Sequence, residues 1–214
     1  MKKAYKNIFI IYFLNSVLLA APFALMAADG SFAPATPSLP WAWIFTRAAG
    51  IVGYILLSAL TLSGLGIKTG LIYKFIDPVP AWIMHKYLGI STAFAILVHL
   101  ISLLLDPFLK FSLYEVLVPF ASGYKSMYVA LGIIGFYMFV AVIFSSIFLF
   151  MKPYLLWRLL HYLPYPIFVV IFLHGIFTGT DSSVPFMIWL YWITGLLVAA
   201  LSAYRIYLSL KRTA

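Results

Sequence analysis

The sequence predicts an all-α polytopic membrane protein, a six-transmembrane-helix bundle, and three observations lead there. First, 65% of the 214 residues are hydrophobic and only 9% are charged, with a mean hydropathy of +1.08, whereas a soluble domain is about 45–50% apolar and about 25% charged. Second, a spanning helix needs about 20 largely apolar residues at about 1.5 Å each, and six segments qualify: 8–28, 43–66, 82–105, 127–151, 157–177 and 186–208. Third, Lys and Arg fall between the segments with a strong bias to one side, as the positive-inside rule requires.

Taken in order, segment 8–28 follows Lys2, Lys3 and Lys6. Its apolar run is long for a signal-peptide core and reads as a retained helix, although a cleaved secretory signal fits the same residues. Either reading starts the next helix on the outside. Segment 43–66 follows the proline-rich stretch 33–40, 82–105 is framed by Asp77-Pro-Val-Pro80 and Asp106-Pro107, and 127–151 stops at Lys152-Pro153. Segment 157–177 carries Pro164 and Pro166 inside it, and 186–208 follows Thr180-Asp-Ser-Ser-Val-Pro185. Residues 108–117, in the longest outer connection, are apolar enough to lie on the membrane surface as a short amphipathic helix. Residues 1–214 read as a single transmembrane domain with no room for a folded soluble one.

With the N-terminus inside, eleven of the fourteen basic residues lie at cytoplasmic ends, leaving Arg47, Lys110 and Lys125 outside. Both termini are then cytoplasmic. Asp29, Asp106, Glu115 and Asp181 fall outside, and Trp41, Trp43, Trp82, Trp157 and Trp189 lie near span ends as interfacial anchors. A net charge of +9 suggests nucleic acid, but these charges sit between apolar runs rather than on a polar domain, so lipid is the expected surrounding and nucleic acid is not a partner. With zero cysteines, disulfides, iron–sulfur clusters and covalent c-type haem are excluded.

The chain has four histidines, and all four fall inside expected spans: His85 and His99 in the third, His161 and His174 in the fifth. Buried polar residues are costly in a bilayer and call for a reason. The 14-residue and 13-residue separations span about 21 and 19.5 Å of helix. The two helices are parallel, so His85 matches His161 in depth near the inner face and His99 matches His174 near the outer face. Two opposed imidazoles across a flat apolar gap are what a six-coordinate haem iron needs. Four axial ligands, in the pairs His85–His161 and His99–His174, thus imply two haem b groups held without covalent attachment. One point is unresolved by spacing: 14 residues return to within about 40° of the same helix face, but 13 end about 140° away. Pro164 and Pro166 lie in that interval and can change the winding.

Arg47, in the outer leaflet, would meet the propionates of an outer haem, with snorkelling to headgroups as the alternative. Lys86 and Arg158 beside the inner histidines serve either inner propionates or the positive-inside rule. Gly50, Gly53, Gly89, Gly132 and Gly135 admit either a macrocycle or a neighbouring helix. Trp82, Trp157, Tyr162 and Tyr165 line the inner haem or anchor the bundle.

These stretches carry a resemblance. Trp82-Ile-Met-His-Lys-Tyr-Leu-Gly89 with Leu97-Val-His99, and Trp157-Arg-Leu-Leu-His-Tyr-Leu-Pro-Tyr165 with His174-Gly-Ile-Phe-Thr-Gly-Thr-Asp181, resemble the ferric reductase-like transmembrane domain over about residues 43–208. That superfamily includes NADPH oxidases, ferric reductases and the haem-binding subunit of a methionine sulfoxide reductase system, and Arg47-Ala-Ala-Gly50 is similar to an Arg-x-x-Gly found in many members. The resemblance implies a haem-binding oxidoreductase component that moves electrons across the membrane. Members that reduce iron or oxygen usually continue into FAD and NADPH domains, and nothing in these residues resembles a Gly-rich dinucleotide loop. The expected donor is therefore a partner flavoprotein, through which FAD and NADPH would act, or quinol. The expected acceptor is ferric iron, oxygen or a partner reductase at the outer face, and the expected location is a bacterial inner (plasma) membrane. Competing readings are a quinol-linked respiratory cytochrome b, a histidine-based transition-metal transporter, for which no span carries a carboxylate, and a purely structural subunit.

Overall fold

Helix α1 (Trp41–Thr69) is the axis on which the rest of the molecule is assembled. In the computed structural model, residues 41–148 and 154–213 are described, and among them all regular structure is helical. Five helical segments are long and apolar enough to cross a membrane: Trp41–Thr69, Pro78–Leu105, Ser126–Phe148, Tyr154–Thr178 and Pro185–Lys211. They coincide with the second to sixth expected spans and define a multi-pass membrane protein. The expected first span, 8–28, lies outside the described residues.

α1 stops where Gly70 adopts the left-handed conformation at φ 79°, available to glycine without a Cβ penalty. A single 3₁₀ turn (Leu71–Lys74) follows, then α2 (Pro78–Leu105), whose first turn holds Pro78 and Pro80 where missing N–H groups cost nothing. The expected surface helix over 108–117 is confined to α3 (Leu113–Leu117). Asp106 Oδ1 accepts the Phe108 N–H at 2.8 Å and Lys110 takes a left-handed φ of 49°, so no continuous helix forms before Ser112. Ser112 and Glu115 close a capping box, and the Ser112 N–H and hydroxyl hold the Glu115 carboxyl below its usual range.

α4 (Ser126–Phe148) is one uninterrupted helix, whereas the fifth span is two: α5 (Tyr154–Leu160) and α6 (Pro164–Thr178). Between them, Tyr162 and Leu163 donate to carbonyls three residues back, at 3.1 and 3.0 Å, and Pro164 has no N–H to give. α7 (Pro185–Thr213) completes the bundle.

α1 packs against α2, α6 and α7, and α4 packs against α6. The core is correspondingly split: Val52, Leu56, Leu88 and Ala95 join α1 to α2, Leu57, Phe139, Val142 and Ile167 join α1, α4 and α6, and Leu65, Phe168 and Val198 join α1, α6 and α7. On α2, Ile90, Phe94, Leu97 and Ile101 form an exposed stripe at helical spacing. In water such a stripe would drive aggregation; in a bilayer it is the lipid-facing side.

Candidate functional site

α1 and α2 run antiparallel, and 14 residues separate both Gly50 from Gly64 on α1 and His85 from His99 on α2. The equal spacings bring glycine under histidine at both depths. A Cβ on Gly64 would stand 3.1 Å from the His85 ring, and one on Gly50 would stand 3.3 Å from the His99 ring. On the other side of the bundle, a Cβ on Gly132 of α4 would stand 2.7 Å from the His174 ring, closer than any side chain tolerates. Three of the four imidazoles therefore lie directly on helix backbone.

At the end of the bundle where Lys68, Lys74 and Lys86 gather, here the basic end, the ring centres of His85 and His161 are 6.4 Å apart with planes inclined by 59°. His161 sits in the turn between α5 and α6, so the 13-residue spacing is not that of one continuous helix. Residues wound at three per turn instead of 3.6 add about 20° of rotation each, the sense needed to offset the missing 140°. Trp157 stacks on His161, 4.8 Å between centres, and Arg205 of α7 lies 5.3 Å from the centres of both Tyr162 and Tyr165 while donating to the Tyr165 hydroxyl.

At the opposite end, called here the acidic end for Asp106, Glu115 and Asp181 although Arg47, Lys110 and Lys125 balance them, His99 and His174 line one cavity of about 600 Å³ together with Arg47, Asp106, Asp181 and Tyr191. That volume lies within the about 300–1,000 Å³ usual for small-molecule and cofactor sites. Arg47 lies 4.0 Å from the Trp43 ring centre and is bound through two nitrogens to Asp181, Nε donating at 2.8 Å to Oδ2. It is thus tied into the cavity wall rather than free to snorkel. Asp106 is only 2% exposed, and its Oδ2 has no partner among the described residues.

Hydrogen bonds fix the tautomer of three histidines. His99 Nδ1 lies 2.9 Å from the Thr46 carbonyl and His174 Nδ1 lies 2.8 Å from the Tyr128 carbonyl. A carbonyl only accepts, so both Nδ1 atoms carry the proton and both Nε2 atoms keep a free lone pair. At the basic end His85 Nδ1 lies 2.9 Å from Ser63 Oγ, whose single proton goes to the Leu60 carbonyl at 2.8 Å. Ser63 must accept from His85, which again leaves Nε2 free. His161 Nδ1 is buried with no partner among the described residues.

The basic-end pair has a spacing compatible with a haem. No group of three or more His, Asp or Glu is assembled among the described residues as a site for a bare ion. A porphyrin brings four equatorial nitrogens and needs two more. With metal–imidazole bonds of about 2 Å, two rings facing across one ion have centres about 6 Å apart, close to the basic-end separation.

Of the remaining expected residues, Trp82 is 62% exposed and faces outward, and Lys86 and Arg158 are exposed. Gly53, Gly89 and Gly135 meet Ala95, Ile143 and Ile171, and Gly53 and Gly135 also line the cavity. Sequence reasoning put Asp106 and Asp181 at the outer face without a partner and missed the contacts of Ser63, Gly64 and Arg205. Only Gly64 left a signal, the 14-residue interval shared by α1 and α2.

A bundle of helices of membrane-crossing length, with His85 and His161 adjoining at one end and His99 and His174 lining a common cavity at the other, defines the class: multi-pass integral membrane proteins. The family model for a ferric reductase like transmembrane component matches residues 49–172, more than half of the chain, and the protein belongs to that family. The matched stretch contains His85, His99 and His161 and ends two residues before His174. No curated protein and no solved structure matches the chain. Family membership suggests a membrane electron-transfer role.

Proposed function

We propose that the protein is a di-haem b-type electron-transfer subunit that carries electrons across the membrane. His85 and His161 would hold one haem and His99 and His174 the other, and bound haem supplies reversible one-electron chemistry at each depth. The observation that carries this reading is the proton bookkeeping: His85, His99 and His174 each donate from Nδ1 to a neighbouring acceptor, so each presents Nε2 as a ligand in a fixed orientation. Arg47 has five N–H donors and gives two nitrogens to Asp181, leaving donors for haem propionates at the cavity wall.

The positive-inside rule makes the basic end cytoplasmic. Electrons enter there from a flavoprotein or quinol and leave at the acidic end to ferric iron, oxygen or a partner reductase. The test uses purified protein in sealed vesicles of known sidedness. A quinol, or NADPH with a flavin reductase, offered at the basic face should reduce the b-type absorbance, whereas NADPH alone should not. Reduction only from the acidic face would overturn the direction, and a colourless protein from haem-replete cells would overturn the reading itself.

A further inference from the structure

We infer that Ser63 is a positioning residue for the basic-end haem, acting through His85 to lower that haem's reduction potential relative to a chain lacking the hydroxyl. The inference rests on the reading of His85 and His161 as haem ligands. A serine inside an apolar helix normally returns its proton to the carbonyl three or four residues earlier and does nothing else. Ser58 and Thr69, on the same helix, do this, bonding Tyr54 and Leu65 carbonyls at 2.8 Å. Ser63 does it too, to Leu60, but a second hydrogen bond distinguishes it: its oxygen receives the His85 Nδ1–H at 2.9 Å. Ser63 is 5% exposed and its neighbour Gly64 lies against the same ring, so hydroxyl and backbone together fix where the imidazole sits and how it is turned.

The consequence is electronic as well as geometric. A hydrogen bond accepted from Nδ1–H raises the basicity of the imidazole, and a more basic ligand favours the oxidised metal. At the acidic end the equivalent acceptors are the backbone carbonyls of Thr46 and Tyr128, which no side-chain substitution removes. At the basic end the Ser63 hydroxyl accepts from His85 with the Leu60 carbonyl beside it, and His161 Nδ1 has no partner among the described residues. Ser63 is therefore the point at which a single hydroxyl sets one haem apart from the other.

Potentiometric titration of the purified, haem-loaded full chain tests this, with electron paramagnetic resonance to follow the axial imidazoles. His99→Ala, which lacks the acidic-end haem, identifies which of the two waves belongs to the basic end. Ser63→Ala should move that wave to more positive potential and leave the other in place, and Ser63→Thr, which keeps a hydroxyl, should return it to the wild-type position. Loss of the basic-end haem alone in Ser63→Ala, with retention in Ser63→Thr, equally supports positioning. Two haems with both waves unmoved, equal shifts in both variants, loss of the haem in both, or movement of the acidic-end wave would each overturn the role of Ser63. A wild-type chain without haem would instead overturn the ligand reading on which it stands.

Discussion

The two ends of the bundle hold their histidines by different means. At the acidic end His99 and His174 rest on Gly50 and Gly132 and are oriented by main-chain carbonyls of α1 and α4, around a formed cavity. At the basic end only His85 rests on a glycine, a serine hydroxyl orients it, and His161 is presented by a broken helix through stacking on Trp157. One site is built into secondary structure and the other depends on side chains arriving from three helices. The acidic end should accordingly fail most sharply where backbone contact is closest, and the basic end should be the more sensitive to loss of the side chains that hold its histidines.

The strongest challenge to the acidic end is Gly132→Ala. Its Cβ would stand 2.7 Å from the His174 ring and must displace it, an overpacking of about 1–3 kcal/mol. We expect loss of the acidic-end haem with the basic-end haem retained, measured by haem content and redox titration. Gly64→Ala, at 3.1 Å from His85, should partly deplete the basic end, and Gly50→Ala, at 3.3 Å from His99, should have the smallest effect of the three.

Arg205 sharpens the basic side of the comparison, because its contacts with Tyr162 and Tyr165 hold the turn that presents His161. Arg205→Ala should weaken haem retention there about tenfold, corresponding to about 1.4 kcal/mol, and leave the acidic end unchanged. Competition for haem with apomyoglobin, followed by absorbance, reads this directly.

Arg47 and Asp181 form the side-chain feature of the acidic end. Their side chains are 17% and 18% exposed, so breaking the pair costs about 1 kcal/mol rather than a buried pair's full penalty. Arg47→Gln should speed haem loss at that end, and Asp181→Asn, which keeps the guanidinium, should do so less. Equal effects would assign Arg47 to the wall alone. Smallest of all, Tyr54→Phe removes a 2.6 Å hydrogen bond to Thr194 between α1 and α7. It should lower thermal stability by about 1 kcal/mol and leave both haem signals in place.

Much of this plan is legible in the sequence because a bilayer leaves few alternatives. Runs of about 20 apolar residues can only be spanning helices, and five of the six expected spans are found among the described residues. Histidine depth is also readable, since residue number converts to height at about 1.5 Å per residue. Azimuth is not, because it depends on winding. His161 lies in the turn 161–163 rather than in a continuous helix, and Pro164 announces a disturbance without giving its angle. Partnerships between distant segments left no pattern either: Arg47 and Asp181 are 134 residues apart, and Ser63 looks like any helix serine until His85 is placed beside it.

Haem counting by pyridine haemochrome on purified wild type, His85→Ala, His161→Ala, His99→Ala and His174→Ala tests the central claim most directly. The account expects two haems per chain in the wild type and one in each variant. The spectra of His85→Ala and His161→Ala should match each other, and those of His99→Ala and His174→Ala should match each other and differ from the first two. A wild type without haem, or a spectral loss shared by His85→Ala and His99→Ala, would contradict it.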